Sequence, residues 1–599
     1  MDKQELEKLS PDELKSLSEG DTSKLKYDRY YVYQLAFDKY NAEGKSSEAE
    51  DMRREVAVLQ LSTHSSERRF SPLWTMASQN GEETGFPDLQ RDFPDDAMDY
   101  YRKRADKTEN PILKARYCDL IWEKERDHIY GREAVRSYLA CWPLYVDNDW
   151  NRQLVDSLTR AMAISCMLKD QSPIDSCMDE HLVAIGKMMD KRMTESIGDI
   201  IDSIVSNVDK CSKPVDFDSL LKTCELAIKE IGKNQTDGFL FQRELLEVIT
   251  RIFKILTDTT KITQTRVRIA ESYIEEGDWK KANYPNGNLV AAMFYTNALK
   301  EYSDIGGFAD RINEIKIKIA EANEVGMATE LKPIVSEIDV PVEPFEKHVQ
   351  IYESKTPEEM LYMISVDRLL PSYQRAVNSA MELSADNPLW RMMPFSILKG
   401  NIHIKSIAGE QELLEFHAIQ NFQISYRTIT VRLLGLLFKL LETKSSTFLN
   451  DLSRYFTESE IISGDRVEII KSGLSSYNSG NFTAAFHVLI FQVEGVLRDI
   501  VGRLGLPTFS FRSAKNEMRE RQLDDILKTL SQIEGFDKDL AKFLEIFLCR
   551  IEADNYRNEV AHGLLTSGAF TKENCQLLLL CLIKLASYSV KKNQPDGQA

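Results

Sequence analysis

Apolar residues recur at a 3.6-residue spacing along most of this chain, and that period commits it to helices packed on helices. Strand-like character is confined to "FSILKGNIHIKSI" (395–407), where β-branched residues flank a Gly-Asn pair and predict a small hairpin. The expected class is therefore all-α with at most one small β-hairpin. At 599 residues the chain is too long for a single core. Its 43% hydrophobic and 28% charged content suit folded helical domains. The longest uninterrupted apolar run, "LLLLCLI" at 577–583, is far short of the ~20 residues a spanning helix needs, so no membrane partner is expected. The acidic, helical start "MDKQELEKLSPDELKSL" lacks the apolar core of a secretion signal. None of the nine cysteines forms a Cys-x-x-Cys or a Cys/His pair at zinc spacing. They read as buried free thiols, and the expected location is cytoplasmic.

Four regions are expected. Residues 1–96 form an N-terminal helical segment that ends in the polar loop "MASQNGEETGFPDLQRDFPDD" (76–96). Residues 97–330 read as helical hairpins. In 113–142 and 266–306 an Arg-headed helix carries a small residue and an aromatic (Ala115 and Trp122; Ala270 and Tyr273). A second helix in each has Ala and Tyr one turn apart (Ala134 and Tyr138; Ala298 and Tyr302). Small residues let helices approach and aromatics fill the gaps beside them, as in tetratricopeptide arrays, but no clean 34-residue period repeats. The region is read as an irregular α-solenoid. Residues 331–447 hold a linker with three prolines (331–347), a helix around 357–383, the hairpin, and a helix over 421–443. Residues 448–593 form an up-and-down helical bundle, with helices at 465–480, 482–505, 523–533, 537–562 and 571–593 and a polar loop at 511–522.

The bundle carries "NYRNEVAHGLL" (555–565). Among the eight histidines, only His562 follows an arginine by five to seven residues. On a regular helix five residues turn roughly 500°, which leaves Arg557 and His562 about 140° apart. They share a face only where the helix ends, and Gly563 supplies an end. Asn558 lies one turn before His562. The same residues also suit plain helix punctuation, with Arg and His against the negative end of the dipole.

"RNEVAHG" near the end of the penultimate helix of such a bundle resembles the HEPN superfamily. More closely, it is similar to the RNxxxHG signature of a domain-of-unknown-function branch within it. "FHVLIFQVEGVLRDIVGRLG" resembles that branch's helix bearing a Glu and a Leu-Arg pair, here Glu494, Leu497 and Arg498. The close resemblance covers roughly 450–592, with weaker similarity over 97–450. It implies an endoribonuclease that needs no metal and no cofactor and cleaves RNA by attack of the ribose 2′-hydroxyl on its own phosphate. It implies catalytic roles for Arg557, His562 and Asn558. Histidine titrates near neutrality, and the arginine fork suits a crowded, doubly charged phosphorane. It also implies a homodimer that sets two such motifs across a two-fold cleft, and a setting in bacterial antiviral defence or a toxin system. The solenoid would then receive a protein trigger or regulator. One departure is informative: no tyrosine follows His562 in "HGLLTSGAF", against the branch silenced by nucleotidyl transfer.

Glu494 and Arg498 stand one turn apart on an apolar helix, either as an ion pair fixing the bundle or with Glu494 orienting Arg557 or His562. His487 sits one residue off that face and is left outside the site. Arg512, Lys515, Arg519 and Arg521 are candidates to grip RNA phosphates, although a solvated loop accounts for them equally well. The net charge of −18 argues against a broad nucleic-acid footprint. Residues 451–592, however, hold 18 Lys/Arg against 19 Asp/Glu, so the acidity lies upstream. The competing readings are a non-catalytic α-helical scaffold or nucleotide- or RNA-binding dimerisation protein, and a tetratricopeptide-type adaptor. The chain has no G-x-x-x-x-G-K-[ST], G-x-S-x-G or H-E-x-x-H motif to support an NTPase, serine hydrolase or zincin.

Overall fold

Helix follows helix through nearly the whole molecule, a computed structural model describing residues 3–20, 29–63, 70–77, 83–232, 238–332, 339–387, 393–399, 402–512 and 517–590. The fold is all-α. Among the described residues no helix is long and apolar enough to cross a membrane. The chain divides into two units, Met1–Leu331 and Lys332–Ala599.

In the N-terminal unit most helices pack against the next one in the chain, and the small and aromatic residues of the sequence pattern are buried in these contacts. Ala115, Trp122, Ala134, Tyr138, Ala270, Ala298 and Tyr302 are all buried. The first helix of the 266–306 pair is Thr259–Asn283, and the break before the second falls at 284–286. Gly277 makes the tight approach to Gly287–Ile305 possible, because a Cβ there would lie 2.5 Å from the Tyr295 ring. Burial of charge is compensated: Arg160 and Asp119 are both fully buried, 2.6 Å apart, and Tyr138 also donates to Asp119 at 2.8 Å.

In the C-terminal unit one apolar core runs from Phe345 to Ala586, so the middle region and the bundle share it. The helix expected around 357–383 is two helices, Pro357–Val366 and Tyr373–Asp386. The helices Glu410–Ser425 and Val431–Lys444 are joined by a π-helical turn, Tyr426–Thr430. Such turns push side chains out of the α-helical register and recur at functional sites. Helices Gly464–Asn478 and Phe482–Arg503 follow, then Leu523–Leu530, Lys538–Leu548, Tyr556–Ala561 and Lys572–Ala586.

The expected hairpin pairs Phe395–Lys399 with Ile402–Ile407, while its Gly-Asn turn lies outside the described residues. Among the described residues two further short antiparallel strand pairs occur, Trp74–Ala77 with Glu83–Phe86 and Phe509–Arg512 with Glu517–Glu520. Both fall largely on segments read as polar loops, 76–96 and 511–522. Glu517–Glu520 is exposed along its whole length, so it lacks the alternation that marks a half-buried strand.

Candidate active site

Residues 537–562, read as one helix, are two. Lys538–Leu548 stops, residues 549–555 cross over, and a short helix Tyr556–Ala561 carries the motif. Asn555 precedes it in the left-handed region (φ +50°), a conformation that asparagine tolerates better than most residues. The far end is closed by a Schellman cap. The Gly563 N–H donates to Val560 O at 3.1 Å and the Leu564 N–H to Glu559 O at 2.9 Å. Gly563 has φ +67°, which a residue without Cβ adopts freely.

The crossover is fixed by residues far away in sequence. Asp554, with its side chain 9% exposed, accepts hydrogen bonds from Gln423 Nε2 (2.8 Å), Arg427 Nη2 (2.7 Å) and the Tyr426 hydroxyl. Tyr426 and Arg427 both come from the π-helical turn. Arg427 also donates to Asn574 Oδ1 (2.5 Å) and to the Tyr556 hydroxyl (3.1 Å). The hairpin supplies two lysines: Lys405 Nζ lies 2.9 Å from Glu552 and Lys399 Nζ 2.9 Å from Glu559. The Lys399 contact is a charge pair whose angle does not make a hydrogen bond. Tyr556 packs edge-on against Phe486 and Phe547 and roots the short helix in the core.

On this support the predicted residues fall into two groups. Glu494 joins two of the others: its Oε2 accepts from Arg557 Nε at 2.7 Å and its Oε1 from Arg498 Nη2 at 2.8 Å. Arg557 Nη1 donates to Asn558 Oδ1 at 3.2 Å, and Asn558 Nδ2 donates to Asn555 Oδ1 at 2.7 Å. His562 stands apart at the capped end. Its ring is exposed and has no hydrogen bond or ion pair among the described residues. It makes none with Arg557. His487, left outside the site, stacks on Phe570 at 5.0 Å.

The candidate phosphate grip is dispersed. Arg521 is used within the fold, donating to Pro507 O, Asp525 O and Thr529 Oγ1. Arg519 is exposed and lies 3.9 Å from Glu517. Lys515 and the side chain of Arg512 lie outside the described residues. Arg427, Asp554, Lys399 and Asn555 were not singled out from sequence. Each acts through a partner, and only the turn-forming character of Asn555 leaves a local trace.

Burial alone would raise the pKa of Glu494. The hydrogen bonds from Arg557 and Arg498 outweigh it and hold the carboxyl below the usual glutamate range. A depressed folded value stabilises the fold above the ordinary pKa of about 4.3, and the contribution is lost as pH falls through the lower folded value. Glu494→Gln is therefore expected to be destabilised at neutral pH and to show a shallower loss of stability on acidification. Thermal unfolding followed between pH 7 and pH 3 checks this. Parallel curves for the two proteins would mean that the carboxylate is not paired.

A family model for a domain of unknown function, DUF7380, matches residues 3–176 and does not reach the Arg557–His562 segment. No curated protein matches the chain.

Proposed function

We propose that the C-terminal unit is a metal-independent endoribonuclease of the HEPN type, working as a homodimer, cytoplasmic, and held in check until triggered in bacterial antiviral defence or a toxin system. The 2′-oxygen attacks the adjacent phosphorus, and the P–O5′ bond breaks. The products are a 2′,3′-cyclic phosphate and a 5′-hydroxyl. His562 takes the 2′-hydroxyl proton or returns one to the departing 5′-oxygen, and its counterpart in the second copy serves the other step. The Arg557 fork stabilises the charge that builds on the phosphorane. Asn558, tied to both Arg557 and Asn555, holds the arginine's angle. A protein trigger or regulator would act through the N-terminal helices.

The observation that supports this reading is the division of labour on one short, anchored helix. Arg557 is oriented by Glu494 from the neighbouring Phe482–Arg503 helix, while the His562 ring stands in solvent, open to a substrate. The same geometry gives the non-catalytic reading its own foothold. Arg557 is engaged by Glu494 and Asn558 and makes no bond to His562, as a purely structural pair would.

The two readings separate on incubation of the full chain with mixed cellular RNA in EDTA, beside Arg557→Ala and His562→Ala. The enzyme reading expects new RNA ends bearing cyclic phosphate in the wild type alone. Inert wild-type protein that is also harmless when expressed would favour a scaffold that dimerises or binds RNA or nucleotide.

A further inference from the structure

A cavity of about 430 Å³ in the N-terminal unit carries a charge imbalance that other arginines wholly or partly buried in that unit avoid. Arg104 lies 2.8 Å from Glu55, Arg160 2.6 Å from Asp119 and Arg243 2.7 Å from Glu276, each arginine set against a buried carboxylate. Two arginines lining the cavity, Arg29 and Arg116, have no such partner among the described residues. Arg29 is only 8% exposed, and its guanidinium donates to the backbone carbonyls of Ser18 and Gly20. Burial pushes it below its ordinary pKa, and the chief groups opposing that are Tyr33, Tyr145, Tyr117 and Cys141 rather than an acid. Arg116 Nε and Nη2 donate to Val58 O at 3.3 and 2.9 Å, its plane lies over Phe70 at 4.5 Å, and its Nη1 has no acceptor among the described residues. Arg152 also lines the cavity, and Asp156 is the one carboxylate among the described lining residues.

Arg29 is a desolvated cation hydrogen-bonded only to carbonyls, at a cost that a negative charge would relieve, and the half-buried Arg116 adds a second guanidinium to the same wall. The remaining walls say what that charge should be attached to. Tyr30, Tyr138, Tyr145 and Trp150 line the same space, and aromatic walls favour a flat ring. The volume falls in the range of small-ligand sites, about 300–1,000 Å³. A larger cleft in the C-terminal unit has no buried cation left without a carboxylate, because its Lys528 and Lys538 are exposed to solvent. Its Lys542 and Arg550 lie 3.0 and 3.2 Å from Glu545, which lines the same cleft.

We propose that this cavity binds a flat aromatic anion of mononucleotide size, its phosphate or carboxylate paired with Arg29 and Arg116 and its ring held among Trp150 and the tyrosines. The proposal is independent of any nuclease activity. Titration calorimetry on the full chain tests it with AMP, GMP, CMP and UMP, with indole-3-carboxylate, and with inorganic phosphate and adenosine as the separated halves. At least one nucleotide or the indole acid is expected to bind about tenfold or more tighter than either half. Nucleotides alone would assign a phosphate ligand, and the indole acid alone a carboxylate. Arg116→Gln should weaken binding, but Arg116 also holds carbonyls at the end of the Ser46–Gln60 helix. Gln153→Trp keeps both arginines and fills space at the cavity wall. It should unfold at the wild-type temperature without ligand and lose binding by about tenfold or more. Silence from every nucleotide and the indole acid, or equal binding by Gln153→Trp, overturns the proposal.

Discussion

Alanine at position 562 is expected to lower RNA cleavage by roughly 10²- to 10⁴-fold, the usual range for a lost general acid–base, with little change in stability. The two halves of that expectation come from different features. The His562 ring is exposed and bonds to nothing among the described residues, so its removal breaks no contact that the fold relies on. The backbone of His562 remains helical (φ −95°), which alanine adopts readily, and the cap is made by the N–H groups of Gly563 and Leu564. Surface changes of this kind stay within about 0.5 kcal/mol. Arg557→Ala differs on both counts, because it leaves Glu494 with Arg498 as its remaining cation and disturbs Asn558. A variant pair in which His562→Ala is cold but stable, and Arg557→Ala is both cold and less stable, fits a catalytic histidine beside an oriented arginine. Unchanged cleavage by His562→Ala would remove histidine chemistry from the reaction, whatever Arg557 does.

The helical architecture was legible because amphipathic periodicity reports which face of each segment is buried. Ala270, Ala298 and Tyr302 announced their contacts through spacing alone, and all three are buried. Glu494 and Arg498 were legible for the same reason, as a charged i,i+4 pair on an apolar helix. What the sequence concealed is the support beneath the motif. The crossover at 549–555 looks like continuing helix, because it is set by bonds from Tyr426 and Arg427, more than a hundred residues away. Those bonds come from a π-helical turn, which inserts a residue into an otherwise periodic pattern without changing its composition. Lys399 and Lys405 were seen as part of a hairpin, yet alternation along a strand says nothing about which acids its lysines will meet. Local patterns carried the elements, and long-range charge pairs carried the placement of the site.

That dependence is sharpest at Asp554, and Asp554→Ala is expected to cost about 3 kcal/mol, the low end of what breaking a buried charge pair entails. The low end applies because Arg427 is 29% exposed and keeps Asn574 and Tyr556 as neutral partners. Tyr426 has no such reserve, since its ring is fully buried and its hydroxyl is directed at the lost carboxylate. For a unit of this size the loss corresponds to an unfolding temperature lower by roughly 6–12 °C. Asp554→Asn should recover part of it, because an amide oxygen in place of Oδ2 still accepts from Arg427 and Tyr426 while the charge is gone. The effect reaches the motif through a short path. Asp554 precedes Asn555, whose left-handed backbone aims the Tyr556–Ala561 helix and whose side chain accepts from Asn558. Below its lowered unfolding temperature the alanine variant should therefore still cleave RNA less well than wild type, with the asparagine variant between them. Urea unfolding and cleavage measured on the same preparations check both halves. A wild-type denaturation midpoint for Asp554→Ala would mean that the π-helical turn does not hold the crossover.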